Sequence, residues 1–336
     1  MTPTPTPWTH SETPPPRKPR RLGLYLPYAI AAILAVVWSL VWLWLAGETQ
    51  RRLDAAASSL RAAGWRAAWE SRHVGGYPFR LDVDFTGLSL ADPSGWGVAL
   101  PALKTEAYVY LPTRWVMFAP AGLSFTRPGA GAVGVTGRAL RASVNGWDQH
   151  PPRISFEGDD LAFTPAPGAP PFALSRAASV EVYTRAGPDD QGAVLLRVQG
   201  GAGAPASWIG GLAQGQPVDL TFDAIFCHAG AMQGRDWRGL ITAWSRAGGA
   251  LEVRQASLAA GGAGFDARSG RLTVEPGGAL VGSLPATVTQ PGRVLAALAG
   301  APPPSRDRPA QTLPLSFKGD ATSLGTTKLG PALRLY

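Results

Sequence analysis

The sequence is poor in the residues that carry most redox and metal chemistry. Of its 336 residues, one is cysteine, three are methionine and four are histidine. The lone Cys227 excludes a disulfide framework and a four-cysteine zinc site. The histidines lack the spacing that places two metal ligands on one helix face. We therefore expect neither a metal nor a cofactor.

Charged residues are also scarce, at 16% of the chain against roughly 25% in an average soluble protein. The net charge of +8 comes from basic residues that are mostly arginine and are interleaved with Asp and Glu. A nucleic-acid-binding protein concentrates its basic residues in a patch or stripe. This distribution predicts no nucleic-acid partner.

The usual catalytic motifs are missing from the sequence. It has no Gly-x-Ser-x-Gly nucleophile elbow. Its one Gly-x-Gly-x-x-Gly match, at residues 129–134, continues as a strand pattern, whereas a dinucleotide-binding loop opens a helix. Asp82 and Asp84 share a strand face with Arg80, which favours ion pairing over acid–base catalysis. We therefore expect no enzyme; a hydrolase would need His73, His150 and His228 to converge with acidic side chains.

The strongest positive signal is an uncharged apolar run from residue 22 to residue 47. About 20 such residues in a helix span a bilayer core of about 30 Å. The run predicts a transmembrane helix over residues 22–47, and the Thr/Pro-rich, basic segment before it predicts a disordered tail over residues 1–21. Because four basic residues precede the run, the positive-inside rule places this tail in the cytoplasm. The rest of the chain then lies outside the bacterial inner membrane, in the periplasm. A cleaved signal peptide is the alternative, but it would need a small residue near Trp44.

A linker helix is predicted over residues 48–72. Leu53, Ala57 and Leu60 recur at three- and four-residue steps, which gives the segment one apolar face. Gly64 is expected to end or bend this helix.

The chain from residue 73 to residue 336 is predicted to be a β-rich periplasmic domain. Apolar and polar residues alternate from Phe79 onward, which is typical of a strand with one buried face. Similar alternation predicts continuous strands over residues 132–145 and 265–275. Apolar residues at three- and four-residue steps predict a helix over 235–247, and a proline at the start with Gly300 after the end predicts a helix over 291–299. The predicted fold class is α+β, mainly β: a transmembrane helix followed by a curved, largely antiparallel sheet with a few inserted helices. Two halves, 73–200 and 201–336, are a further expectation.

The motif Gly76, Tyr77, Pro78, Phe79 and Arg80, soon after a Trp-rich apolar run, resembles the start of the bacterial family called domain of unknown function 2125. The segments 244–254, 270–284 and 324–336 are also similar to that family. The resemblance implies a membrane-anchored protein in which the five-residue motif has a structural role, and it implies no activity.

Long curved sheets on a single anchor are also similar to the AsmA-like envelope proteins, whose apolar grooves are linked to lipid handling. We therefore expect a non-enzymatic single-pass protein that binds a lipid or another apolar ligand in envelope maintenance. A scaffold that contacts other proteins of an envelope assembly is the alternative.

Overall fold

The computed structural model of the chain describes residues 22–318 and 321–336, so the predicted tail over 1–21 lies outside the described residues. Helix α1 covers Leu22–Ala62 without interruption. It ends ten residues before the limit predicted for the linker helix. The reason is Gly64, which adopts a φ of +88° that a helix cannot continue and that glycine adopts at little cost. Two short strands follow, β1 over Arg66–Ala68 and β2 over Ser71–Gly75.

The remaining strands form one long antiparallel series. The strands of the first part are β3 Arg80–Ala91, β4 Gly97–Tyr108, β5 Leu111–Phe118, β6 Leu123–Arg127, β7 Gly131–Thr136, β8 Ala139–Asn145 and β9 Arg153–Pro165. Those of the second part are β10 Leu174–Ala186, β11 Gly192–Gly203, β12 Val218–Phe226, β13 Ala250–Ala260, β14 Ala263–Ala267, β15 Gly270–Val274, β16 Leu280–Thr289, β17 Gln311–Lys318, β18 Ala321–Leu324 and β19 Thr327–Pro331.

The sheet is a single meander in which each strand pairs mainly with its neighbours in the chain. Both β1 and β2 pair with β3, which pairs with β4. Strands β5 and β6 together pair with β4 on one side and with β7 and β8 on the other. From β9 to β13 each strand pairs with the next. Strands β14 and β15 each pair with β13 on one side and with β16 on the other. Strands β17, β18 and β19 complete the series.

Two strands predicted as continuous are broken in the structure. The segment 132–145 is interrupted at Gly137, where a Cβ atom would lie 2.6 Å from the Leu161 side chain and 2.7 Å from the Asp159 carbonyl. The segment 265–275 divides into β14 and β15 around Arg268. Such breaks let one strand of a pair bend while its longer partner continues.

Three helices are inserted in the second part. They are α2 over Trp208–Ala213, α3 over Trp237–Arg246 and α4 over Pro291–Ala299. The predictions for α3 and α4 are confirmed to within two residues. Helix α2 was not predicted, because six residues with two glycines are too short to show a helical period.

The buried residues fall into three clusters. The largest has 25 buried side chains, including Trp244, Leu212 and Ile241, and joins the three inserted helices to strands β10–β18. A second cluster of eight lies on β3–β9 and their connections. The third joins α1 to the sheet through Trp42, which packs with Leu81 and other apolar side chains.

The sheet curls enough to bring its two parts into contact. Asp92, in the turn between β3 and β4, accepts a 3.2 Å hydrogen bond from the backbone N–H of Trp237 at the start of α3. Seven strand spacings, about 34 Å in a flat sheet, separate β3 from β12, the strand that precedes α3. The right-handed twist of successive strands accounts for the approach. The predicted boundary between residues 200 and 201 falls inside β11, which pairs with β10 and β12 on both sides of it, although the register with β12 shifts between Val198 and Gly201.

Candidate functional site

The five-residue motif lies against the long helix α1. The indole Nε1 of Trp38 donates a 2.8 Å hydrogen bond to the carbonyl of Pro78. The Nε1 of Trp42 donates a 2.8 Å bond to the carbonyl of Arg80. The Ser39 hydroxyl lies 2.8 Å from the Tyr77 hydroxyl. Three successive helix contacts therefore hold the loop between β2 and β3 on the helix surface.

Aromatic packing adds to these hydrogen bonds. The Trp42 and Tyr77 rings meet edge to face with centroids 5.5 Å apart. The Trp38 and Phe79 rings are tilted with centroids 6.2 Å apart. Both separations lie in the range in which aromatic pairs stabilise a contact beyond the area they bury. Trp38 and Trp42, two of the tryptophans near the end of the apolar run, thus have protein partners.

Gly76 and Arg80 shape the loop that carries the motif. Gly76 has a φ of +96°, and a Cβ atom there would lie 2.7 Å from the carbonyl oxygen of Arg80. Only glycine fits such a position without strain. The Arg80 guanidinium contacts Glu106 at 2.9 Å and Asp82 at 3.1 Å, all on the polar side of β3 and β4. The ion pairing expected from the sequence for Arg80 is thus present with Asp82.

A second contact farther along α1 gives the direction of β2. Arg72 on β2 pairs with Asp54 on the helix at 2.9 Å. The hydrogen bond from Arg72 lowers the pKa of the Asp54 carboxyl. From Asp54 to Ser39 the helix rises about 22 Å, and from Arg72 to Tyr77 the strand covers about 17 Å. Strand β2 therefore runs antiparallel to α1, and its loop points toward the N-terminal end of the helix.

One row of apolar side chains crosses ten strands of the sheet. Each member lies directly opposite the next in the strand register. This apolar row consists of Met117, Ala142, Phe156, Val182, Leu196, Phe222, Ala256, Ala267, Ala286 and Leu313. Side chains directly opposite in a sheet share one face, so the row is a continuous apolar band on that face.

The adjacent register positions form a row on the other face that is polar from β8 onward. This polar row consists of Arg141, Glu157, Glu181, Arg197, Thr221, Ser257, Asp266, Thr287 and Thr312. Arg141 pairs with Glu157 at 3.1 Å, and Arg197 pairs with Glu181 at 3.3 Å. Burial and a 3.0 Å hydrogen bond to Glu157 raise the pKa of Tyr183, which lies on the same face. The two faces therefore differ in chemistry over nine strands.

The middle of the apolar row is less buried than the part toward β16. Toward β16 its members, such as Ala267 and Ala286, are fully buried beneath the inserted helices. On β9 and β10, Phe156 and Val182 are only partly buried. Val182 and its neighbour Ile154 belong to none of the three packed clusters. An open apolar strip therefore lies between the two larger cores.

Asp92 connects the two parts of the molecule. Its side chain is 5% exposed and accepts hydrogen bonds from the Ser94 hydroxyl at 2.6 Å, from the Trp96 N–H at 2.9 Å and from the Trp237 N–H. Burial alone raises the pKa of Asp92, but these donors outweigh it and lower the pKa. Trp65 reinforces the contact by donating from its indole to the carbonyl of Arg235.

The three histidines that a hydrolase would bring together lie on separate elements. His73 is on β2, His150 is between β8 and β9, and His228 follows β12. Within residues 22–318 and 321–336, no three side chains of His, Cys, Asp or Glu form a group that could hold a metal ion. The arrangement of the motif is suited to holding the helix and the sheet together.

A bacterial family model described as "Uncharacterized protein conserved in bacteria (DUF2125)" matches residues 42–332. The chain belongs to the DUF2125 family. The match begins at Trp42, the tryptophan that bonds to the Arg80 carbonyl, and ends within two residues of the end of β19. No curated protein and no solved structure is detectably similar to the chain. The resemblance drawn from the motif is thus confirmed for the DUF2125 family.

The motif is recognisable in the sequence, but the residues of α1 that contact it are not. Trp38 and Trp42 belong to the Trp-rich apolar run, and nothing in their spacing indicates that they donate to Pro78 and Arg80. The apolar row was also not foreseen, because it depends on strand register. The alternation within each strand can be recognised in the sequence. Only the strand register shows that apolar residues of ten strands lie directly opposite one another.

Proposed function

We propose that this DUF2125 protein is a single-pass inner-membrane protein whose sheet binds the acyl chain of a lipid on the open middle of the apolar row, without catalysing a reaction. The observation that carries the proposal is the open strip on β9 and β10, where Ile154, Phe156 and Val182 are only partly buried. The opposite face is lined by paired charges and is unsuited to an apolar ligand.

An uncleaved anchor is supported by the packing of α1. Within the described residues, α1 is the one helix long and apolar enough to cross a membrane. Trp42 is 9% exposed and packs with Ala46, Leu81 and Val109. Removal of the helix as a signal peptide would strip buried partners from the first strands of the sheet. The helix is therefore proposed to remain in the mature protein.

The proposed orientation rests on charge. Four basic residues precede the apolar run, and basic residues favour the cytoplasmic side. With the N-terminus in the cytoplasm, the sheet lies in the periplasm, next to the periplasmic leaflet of the inner membrane. Lipid acyl chains are then the apolar ligand nearest to the sheet.

The part of the apolar row that contains the open strip is long enough for an acyl chain. From Ala142 to Phe222 the row crosses four strand spacings, about 19 Å, comparable with the length of a phospholipid acyl chain. Its members on β9–β12 are aliphatic or aromatic, with no polar side chain to orient a head group. The proposed role is to hold one chain of a lipid during maintenance of the cell envelope.

Site-specific photocrosslinking in bacterial membranes tests the proposal. A photoreactive phenylalanine analogue replaces Val182 in the full chain, and the matched control replaces Tyr183, its neighbour on the polar face. After irradiation, the purified protein is analysed by mass spectrometry for lipid adducts. We expect adducts at position 182 and at least tenfold fewer at position 183. Equal yields at the two positions, or none at 182, would contradict lipid binding on the apolar row.

The same experiment separates the proposal from a scaffold function. A defined protein adduct at position 182, in place of lipid, would favour the scaffold alternative and overturn the lipid proposal. The intact mass of the purified chain tests the anchor independently. Cleavage of a signal peptide near residue 47 would remove about 5 kDa, at roughly 110 Da per residue.

A further inference from the structure

Two loops beside α1 expose a group of aromatic and apolar side chains. Phe79 is 62% exposed and Tyr110 is 64% exposed, and the other members are each about half exposed. This aromatic collar consists of Tyr77, Phe79, Tyr108, Tyr110 and Leu111. The two loops are adjacent, because the N–H of Val109 donates a 3.1 Å hydrogen bond to the carbonyl of Phe79. Exposed apolar groups of this kind mark an interaction surface.

The position of the collar along α1 identifies its partner. The helix cannot enter the hydrocarbon before Leu22, because Arg20 and Arg21 precede it. With a rise of 1.5 Å per residue, Ser39 lies about 26 Å and Trp42 about 30 Å beyond Leu22. A bilayer core of about 30 Å therefore ends no earlier than Trp42. Any tilt of the helix moves that boundary to a later residue.

Tyr77 contacts α1 at Ser39, which lies inside this limit. The loop between β2 and β3 must therefore reach the depth of the bilayer interface or go below it. We propose that the aromatic collar inserts into the periplasmic leaflet of the same membrane that α1 spans. The partner is the interfacial zone of a phospholipid bilayer, and the surface is continuous with the anchor helix. This inference depends on the anchor and is independent of acyl-chain binding on the apolar row.

The backbone of the loop is suited to that depth. Irregular backbone is tolerated at membrane depth when protein partners satisfy its polar groups. The carbonyls of Pro78 and Arg80 accept from the two indoles of α1. The N–H of Arg80 donates to Gly76 and the carbonyl of Phe79 accepts from Val109. Pro78 has no N–H to satisfy.

The side chains around the loop follow the polarity of a membrane interface. Tyr108 and Tyr110 are stacked with centroids 5.1 Å apart, and tyrosine is enriched at the level of lipid head groups. Arg80 lies directly opposite Tyr108 in the strand register and is paired with Glu106 and Asp82. These three charged side chains, the ones nearest the collar, therefore lie at the depth at which the lipid head groups begin.

An open apolar recess separates the collar from the lipid-facing side of α1. It has a volume of about 540 Å³ and is lined by Leu34, Val37, Val41, Pro78 and Phe79, among others. The helix side chains that line it face outward from the protein. In a membrane, acyl chains of interfacial lipids would fill this recess.

Depth-dependent fluorescence quenching tests the collar in the full chain, reconstituted in vesicles of phosphatidylethanolamine and phosphatidylglycerol. In a Cys227→Ser background, single cysteines at Phe79 and Tyr110 carry an environment-sensitive fluorophore. Thr126→Cys is the control, because Thr126 is exposed and pairs with Gly97, about 36 Å along β4 from Tyr108. Val37→Cys reports on the anchor.

We expect labels at 79 and 110 to shift to the blue and to be quenched at least threefold more than the label at 126 by spin-labelled lipids. Quenching at 37 without quenching at 79 and 110 would overturn the insertion of the collar while leaving the anchor intact. Absence of quenching at 37 would overturn the inference as well, because the collar reaches the bilayer only beside a spanning helix.

Discussion

The first and second parts of the sheet are stabilised in different ways. Strands β10–β18 are covered by α2, α3 and α4, which are inserted between these strands in the chain. A cluster of 25 buried side chains joins the helices to the strands. Strands β3–β9 hold a cluster of eight and obtain further burial from α1, through Trp42. The second part thus carries its own larger core, whereas the first part has a smaller core and also packs against helix α1.

The largest expected effect is in the second part. Trp244 is 1% exposed, and its indole donates to the carbonyl of Cys227. Trp244→Ala leaves a cavity and should lower the free energy of unfolding by about 3–5 kcal/mol. Thermal unfolding of the detergent-solubilised full chain measures the loss. Trp147→Ala is the control, because Trp147 is 60% exposed and should change stability by at most about 0.5 kcal/mol. A similar loss in both variants would show that Trp244 is not a core residue of the second part.

A smaller and more local effect is expected where helix α1 meets the first part. Trp42→Ala removes a buried ring and the hydrogen bond to the Arg80 carbonyl, and should destabilise this contact by about 2–4 kcal/mol. Hydrogen exchange should increase over residues 71–80 and stay unchanged over β13 and β16. Trp44→Ala is the matched control, because Trp44 lies two residues away and is exposed. Equal acceleration in both parts would mean that the two are not stabilised separately.

Asp92 tests the connection between the two parts. Asp92→Asn removes a buried carboxylate from three donors and should cost about 1–3 kcal/mol at pH 7. Because the pKa of Asp92 is lowered in the folded state, the carboxylate stabilises the fold above the ordinary Asp pKa. That contribution is lost as the pH falls through the lowered pKa. The difference between the wild type and Asp92→Asn should therefore shrink in acid. A difference that is constant from pH 7 to pH 3 would assign the effect to packing.

The smallest effect is expected from the charged member of the motif. Arg80→Ala removes two exposed ion pairs and keeps the backbone carbonyl that accepts from Trp42. Such pairs are worth about 0–1 kcal/mol. Chemical unfolding of this variant and of Arg141→Ala, which removes a similar exposed pair, should give similar small losses. A loss above about 2 kcal/mol for Arg80→Ala alone would indicate that its side chain has a role beyond these pairs.

Much of the fold could be predicted from the sequence. The alternation after Phe79, the amphipathic pattern of α3 and the proline at the start of α4 are local signals. The failures are local as well. The limit of the linker helix at residue 72 is wrong because alanines continue past Gly64, whereas the expectation that Gly64 ends the helix is confirmed. Residues 132–145 are predicted as one strand because the sequence does not indicate that Gly137 lies against Leu161. With 41 glycines in the sequence, one more inside a strand pattern carries little information.

The candidate site could be predicted only in part. The five-residue motif was found because its residue types and its position after the apolar run are recognisable. Its contacts with Trp38 and Trp42 span about 40 positions in the chain. No periodicity reports a contact over that separation, because it depends on where α1 ends and on the direction of β2.

The sequence by itself determined the apolar helix, the mainly antiparallel β class and the family, because these follow from residue types at short spacing. The tertiary structure alone decided that ten strands align their apolar residues in one row, that Asp92 reaches α3, and that the motif contacts α1 beside an exposed aromatic collar. Each of these depends on strand register and on the accumulated twist of the sheet. A shift of register by one residue would preserve every local pattern and would move each row to the opposite face.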